Sequence, residues 1–456
     1  MMLPRAGWLV ALVMLTGMSA VAAAMDSLHV GRFGKVRLVA PAGDAHEVVL
    51  FFSGARGWDA ASADMASRLA ADGAWVAGID TRHLLAELEK SPDKCVSLPV
   101  ETENLSHYVQ ARLGLPHYHQ PTLAGSAEGA ALAYATLVAS PANLFKGALS
   151  ADFCPQLPLQ KPLCKGQGLR SEPGHLAPGK PGVAFLPTDK LGGRWVALPG
   201  EAPRCSEEAV REFVARVPGA QWEGSAAAIS PAFRRIVAAR PSTVAAGPAP
   251  ELRDLPLTEV AAGKGVYTNW FAVFLSGDGG WVGLDRGVAE EIAKRGIPVV
   301  GWDSLRYFWT PRTPQGAAAD LDRVLQHYAK AWGKRRALLL GYSQGADTLP
   351  FMANRLPATS HRLVGFTALV AVSNPAYFEF QPSHWLGKPA GGLPILPEFD
   401  DWGARPYVCL YGAQEDDSLC PQLSATGHAL PMPGGHHFGG SFAEVADQVL
   451  RRLPAY

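Results

Sequence analysis

Short apolar runs alternate with amphipathic stretches along this chain, twice over and in the same order. Val48–Phe52 breaks into Ser53-Gly54-Ala55-Arg56-Gly57-Trp58, and 223 residues later Phe271–Leu275 breaks into Ser276-Gly277-Asp278-Gly279-Gly280-Trp281. Behind each run the pattern predicts a helical stretch (Met65–Ala71, Val288–Lys294), a glycine (Gly73, Gly296) and a second strand ending at an aspartate (Asp80, Asp303). The offset of 223 holds through these pairs without a gap, which marks an internal duplication and not a short-repeat array. Strands alternating with helices predict an α/β domain with a mainly parallel sheet in each copy.

In the second copy, Leu338–Leu340 leads into Gly341-Tyr342-Ser343-Gln344-Gly345 and then into helix-forming residues through Asp347. A serine on a sharp strand-to-helix turn needs a glycine on each side, because a Cβ there would collide where strand and helix pass closest. The backbone N–H of Gln344 would then stand at a helix N-terminus, where a developing oxyanion is stabilised. An N-cap serine beside packing glycines gives the same five letters. The enzyme reading therefore requires a base and an acid downstream. Pro406–Gly412 reads as a strand, followed by Glu415, Asp416 and Asp417; Ala429–Met432 reads as another, followed by Gly434-Gly435-His436-His437. We assign Ser343 as nucleophile, His436 as general base and Asp417 as the orienting acid, with Glu415, at the glycine-plus-three position, and Asp416 competing for that role. The second oxyanion donor is expected from the Ser276–Trp281 turn, at the N–H of Asp278 or, failing that, Gly279.

The first copy lacks this set. Leu123–Gly129 aligns with Leu339–Gly345 and keeps both glycines, but Ala127 falls on Ser343 and Ser126 comes one residue early. Aligning Val217–Gln221 with Met432–His436 puts Gln221 at the base, and the loop after Leu198-Pro199-Gly200 has no aspartate. Three vacancies predict a domain that keeps the fold without the chemistry.

The layout read from the chain is a signal peptide (1–24), a degenerate domain (25–240), an Ala/Pro-rich linker (241–254) and a catalytic domain (255–456). The leader has one positive charge in Met1–Arg5, an apolar Trp8–Met18 and small residues at Ala22–Ala24, which predicts export with cleavage near Ala24. With 41 basic and 41 acidic residues there is no basic surplus to argue for nucleic acid. Six cysteines in an exported chain predict disulfides, with Cys409 and Cys420 closing one loop, and no C-x-x-C spacing suggests a metal. The long stretch Asn374–Ala404, rich in Pro, Trp, Phe and Gly, is expected to form a lid. Asp278, Asp303 and Asp347, with Trp281, Trp302, Phe308, Trp309 and Trp385, are expected near the predicted strand ends; Asp278, Trp281 and Asp347 are the candidate substrate contacts.

Taken together, S-G-D-G-G-W, G-Y-S-Q-G-A-D, Asp417-Ser418-Leu419-Cys420 and P-G-G-H-H-F resemble the AcvB/VirJ family of exported bacterial virulence-associated proteins, within the α/β-hydrolase superfold. The resemblance implies two tandem α/β-hydrolase-like domains, the first degenerate, and a periplasmic serine esterase without cofactor or metal. It implies hydrolysis of aminoacyl-phosphatidylglycerol, chiefly the lysyl ester, reached peripherally at a membrane, with secretion-system proteins as partners. By residue it carries the nucleophile, acid and base onto Ser343, Asp417 and His436. Two other readings use the same residues: a binding or adaptor protein on a hydrolase scaffold, and an esterase or thioesterase of a soluble substrate. A pure scaffold has no reason to keep Ser, Asp and His in one copy while losing all three in the other.

Overall fold

The computed structural model describes residues 27–177, 180–200, 203–238, 249–381, 391–426 and 428–454. The leader, most of the linker and Trp385 lie outside these residues.

The first domain holds β1 (Ser27–Val30), β2 (Gly34–Val39), β3 (Glu47–Phe52), β4 (Ala74–Ile79), β5 (Thr122–Ser126), β6 (Gly147–Ala151), β7 (Gln156–Leu157), β8 (Arg170–Ala177), β9 (Lys180–Leu186), β10 (Arg194–Leu198) and β11 (Ala220–Trp222). The second holds β12 (Leu257–Val260), β13 (Trp270–Leu275), β14 (Val299–Trp302), β15 (Arg336–Tyr342), β16 (Val364–Val370), β17 (Tyr407–Gly412) and β18 (Ala429–Met432). Their main sheets run β1-β2-β4-β3-β5-β6-β10-β11 and β12-β14-β13-β15-β16-β17-β18. Strand for strand the second order repeats the first from β2 onward. In both, the pairings from β4 and from β14 onward are parallel; β12 is antiparallel at the edge of its sheet, and β2 is antiparallel to both β4 and the edge strand β1.

The apolar runs form strands because both sheet faces are covered. Along β13, Phe271, Val273 and Leu275 pack with Leu321 and Val324 of the helix Pro314–Ala331. Ala272 and Phe274 pack on the other face with Val288 and Ile292 of Gly283–Lys294 and Val445 of Phe442–Leu450. A strand buried on both faces reads as a continuous apolar run. Leu252, 1% exposed, already belongs to this core, so the second domain begins inside the stretch read as linker.

The duplication is visible atom by atom. Gly57 and Gly280 both have positive φ (84° and 81°), and a Cβ on either would come within 2.9 or 3.0 Å of a carboxylate oxygen of Asp80 or Asp303. Those aspartates cap the next helices, accepting from the N–H of His83 and of Arg306, each at 3.0 Å. Asp303, expected near substrate, is thus an N-cap, and Trp302 and Phe308 are fully buried core residues. Disulfides join Cys95–Cys164, Cys154–Cys205 and, as expected, Cys409–Cys420, which encloses the loop carrying Glu415.

Trp58 and Trp281 lie over Gly78 and Gly301, where a built Cβ would fall 2.1 and 2.2 Å from the indole rings. Gly301→Ala is therefore expected to destabilise the second domain by about 1–3 kcal/mol through overpacking, read as a lowered urea midpoint. Gly78→Ala should do the same to the first.

Candidate active site

Ser343 stands between β15 and the helix Gln344–Asn354 with φ 50° and ψ −123°, a conformation that non-glycine residues rarely adopt. The two glycines are required by contact. A Cβ on Gly341 would lie 2.4 Å from Gly345 O, and one on Gly345 would lie 2.3 Å from Leu275 O. The serine N–H donates to Val370 O (3.0 Å) and its carbonyl accepts from Asp347 N–H (2.9 Å). Gln344 is the first helical residue, so its N–H has no acceptor within the helix.

The turn after β13 lies against this elbow, since a Cβ on Gly277 would come 3.4 Å from Ser343 Cβ. Gly277 N–H is held by Asp285 Oδ1 (3.3 Å) and Gly280 N–H by Gly277 O (3.1 Å), which leaves the N–H groups of Asp278 and Gly279 between them. Asp285 is 3% exposed, and burial pushes its carboxyl well above the usual range despite the Gly277 bond. Sequence reasoning missed Asp285, because the helical stretch was read from Val288 while the helix starts at Gly283.

The carboxylate that meets His436 is Glu415, not Asp417. Glu415 Oε1 pairs with His436 Nδ1, and the carboxylate is 4% exposed. The turn geometry decides this. Glu415 N–H bonds back to Gly412 O (2.9 Å) and Gly412 N–H donates to Glu415 Oε2 (3.1 Å), folding the side chain under the end of β17. Asp416 and Asp417 follow on the outer side of that turn, exposed. The loop after β18 abuts the same strand end, because a Cβ on Gly412 would lie 2.4 Å from Gly435 O. Nδ1 facing a carboxylate fixes the tautomer and leaves the Nε2 lone pair for another partner. The structure records no hydrogen bond between Ser343 Oγ and His436; such contacts often tighten only when substrate is bound.

His437 is structural: its Nδ1 lies 2.7 Å from Tyr342 Oη. Asp347, a candidate substrate contact, engages Ser373 with both oxygens, at 2.8 Å to N–H and 3.0 Å to Oγ. Burial lifts its carboxyl to about 7, against the Ser373 bonds and the nearby His436. Trp281 is 8% exposed and packs edge-on to Phe274 at 5.6 Å. It also lines a cleft of about 610 Å³ at the domain boundary, with Gly279, Gly280, Tyr118 and Glu103; Ser343 and His436 are not among that cleft's residues.

In the first domain Ala127 has φ 52° and ψ −115°, the conformation of Ser343. Glu128, at the position of Gln344, accepts from Ala55 N–H (2.8 Å) and Arg204 Nη1 (2.7 Å). Ala55 stands at the position of Asp278, so a carboxylate covers the equivalent donor. Gln221 does not stand at the base position, as the alignment had it. It lies within β11, opposite Val196, and the residues after that strand, Glu223–Ala228, include no histidine.

Residues 269–455 match the family described as "Bacterial virulence protein (VirJ)". Among solved structures, the chain is similar to YbtT, a type II thioesterase of the yersiniabactin pathway (19% identity, 43% of this chain and 98% of that one, TM-score 0.32). It is also similar to Est1E from Butyrivibrio proteoclasticus (12%, 43% and 93%, TM-score 0.31) and to naproxen esterase from Bacillus subtilis (14%, 43% and 86%, TM-score 0.30). No curated protein matches the chain.

Burial alone draws the pKa of His436 down; the Glu415 hydrogen bond and charge, with Asp278 and Asp347 farther off, outweigh it and hold the imidazole above its ordinary value. The pair's contribution to stability is then complete below the unfolded value of about 6.5 and is lost as pH rises through the folded one. Glu415→Gln should bring the His436 titration, followed by histidine NMR, below the ordinary value, since burial remains. Asp417→Asn should leave it in place.

Proposed function

We infer, from the match of residues 269–455 to the bacterial virulence protein (VirJ) family and from the elbow geometry, a serine hydrolase acting on carboxylic esters. One observation carries the proposal: His436, held by the buried carboxylate of Glu415, lies with its ring 5.3 Å from that of Tyr342, the residue before the strained Ser343, in the one copy that holds all three residues.

In this reading Ser343 Oγ attacks the ester carbonyl while His436 Nε2 takes its proton. Glu415 stabilises the imidazolium that forms, as the acid does in a serine triad. The carbonyl oxygen gains the negative charge and accepts from the N–H groups of Gln344 and Asp278. Collapse breaks the ester bond, and the departing alkoxide takes the proton from His436. A water, deprotonated by the same imidazole, then cleaves the acyl-enzyme.

The substrate proposed is an aminoacyl ester of phosphatidylglycerol, chiefly the lysyl ester, releasing free amino acid and the parent lipid. Support comes from the AcvB/VirJ resemblance and from the carboxylates around the elbow. Asp278 is half-buried beside Ser343 and suits an ammonium better than Asp347, whose oxygens are occupied by Ser373. The leader pattern supports a periplasmic location. No helix among the described residues is long and apolar enough to cross a membrane, so the lipid would be met at the bilayer surface.

Ser343→Ala should lower release of amino acid from purified lysyl-phosphatidylglycerol by about 10³-fold or more and abolish fluorophosphonate labelling, while Glu415→Gln costs roughly 10²-fold or more. Asp417→Asn should stay within about threefold. Hydrolysis that survives Ser343→Ala would defeat the proposal, and a purely binding role would be indifferent to the substitution.

A further inference from the structure

The catalytically empty first domain touches the supports of both oxyanion donors in the second. Val282, two residues past the Ser276–Gly280 turn, packs against the first domain's hydrophobic core. The other contact is a cluster of rings. Trp309, at the end of the helix Ser304–Phe308, donates from Nε1 to Leu115 O (2.7 Å) and stacks on Phe380 at 4.9 Å and 23°. From the first domain, Tyr118 meets Trp309 at 5.3 Å and His107 meets Phe380 at 5.5 Å. His107 is 4% exposed, and burial lowers its pKa to about 3, so it serves here as an uncharged ring.

Phe380 belongs to the segment that follows β16, and this segment runs directly to the elbow. Its outer edge is bonded to the helix end through Phe380 N–H to Phe308 O (2.7 Å) and Arg312 N–H to Phe378 O (2.8 Å). Its inner edge presents the carbonyls of Tyr377 and Glu379 to Gln344 Nε2, each at 3.3 Å. Gln344 Oε1 is buried without a partner, so those two carbonyls are the amide's hydrogen-bond anchors. The backbone N–H of that same residue is the donor next to Ser343.

We infer that the first domain is a positioning domain: its Tyr118 and His107, through Trp309 and Phe380, fix the segment that orients Gln344 and so set the oxyanion pocket of the second domain. This rests on the hydrolase reading. A displaced donor weakens transition-state binding more than ground-state binding, so the loss belongs in kcat and not in KM.

The test uses the full chain, with reactive Ser343 titrated by a fluorophosphonate so that any unfolded fraction drops out of the rate. Phe380→Ala and Tyr118→Ala are expected to lower kcat per titrated serine on p-nitrophenyl butyrate by about fivefold or more, with KM within about threefold. Phe380→Tyr, which keeps the ring, should restore kcat. A smaller drop in both alanine variants, or a loss confined to KM, overturns the inference. Should Tyr118→Ala not fold, Phe380→Ala decides, because Phe380 is half-buried and outside the packed cores. A parent chain that neither labels nor hydrolyses would overturn the hydrolase reading, and this inference with it.

Discussion

Everything at the site depends on how closely three backbones meet: the end of β13, the end of β15 and the first turn of the helix after Ser343. Gly345 brings the helix so near the carbonyl of Leu275 that a single added carbon would overlap it, and Gly341 does the same against Gly345. The first domain keeps the identical collision, with Gly129 against Phe52 O at 2.1 Å and Gly125 against Gly129 O at 2.2 Å. It also keeps the positive φ, on an alanine that can perform no nucleophilic chemistry. Backbone strain of this kind is often stored at functional sites. Here it is a property of the fold, kept in both copies whatever side chain the strained residue carries.

The residue after the elbow shows how the two copies diverged. In the second domain Gln344 turns its amide outward to the Tyr377–Glu379 carbonyls and leaves its own N–H and that of Asp278 open. In the first, Glu128 turns a carboxylate onto Ala55 N–H and is itself held by Arg204. A buried carboxylate is costly unless paired. Arg204, from the loop that in the other copy carries Glu415, meets that need. Placing a serine at Ala127 would consequently face a pocket already filled.

The offset of 223 made the strand order, the glycine contacts and the placing of Ser343 on a sharp turn legible, because each follows from periodicity or from the absence of a Cβ. The choice among Glu415, Asp416 and Asp417 was not legible, since it turns on the hydrogen bonds of one tight turn and on which of three adjacent carboxylates folds inward. Gln221 was misplaced for a related reason. The chain enters β11 at Ala220, and motif matching through Pro218-Gly219 shifted a strand residue into a loop. Asp303 and Asp347 look alike in sequence, yet one caps a helix and the other bridges to Ser373 across 26 positions, a contact no local pattern encodes. The course of Asn374–Ala404 was only partly legible. Part of Asn374–Ala404 does lie over the elbow helix through Gln344 and Asn354, but its anchoring on the other domain could not be read from one copy alone.

Electrostatics around the elbow follow from the same burial. Asp285, Asp347 and, across the domain boundary, Glu103 all have carboxyls pushed upward, first by burial and then by neighbouring acids. Groups raised in this way shed charge more readily than they tolerate it, which limits the negative field that burial would otherwise concentrate around the histidine. His436 and Asp347 are linked in the opposite sense: each charge favours the other, so an imidazolium formed on His436 draws Asp347 toward its ionised form. The Ser373 bonds hold that carboxylate still while its charge changes. A donor set that need not move as charge develops is what electrostatic preorganisation requires, and here it is built from backbone contacts that both copies share and side chains that only one retains.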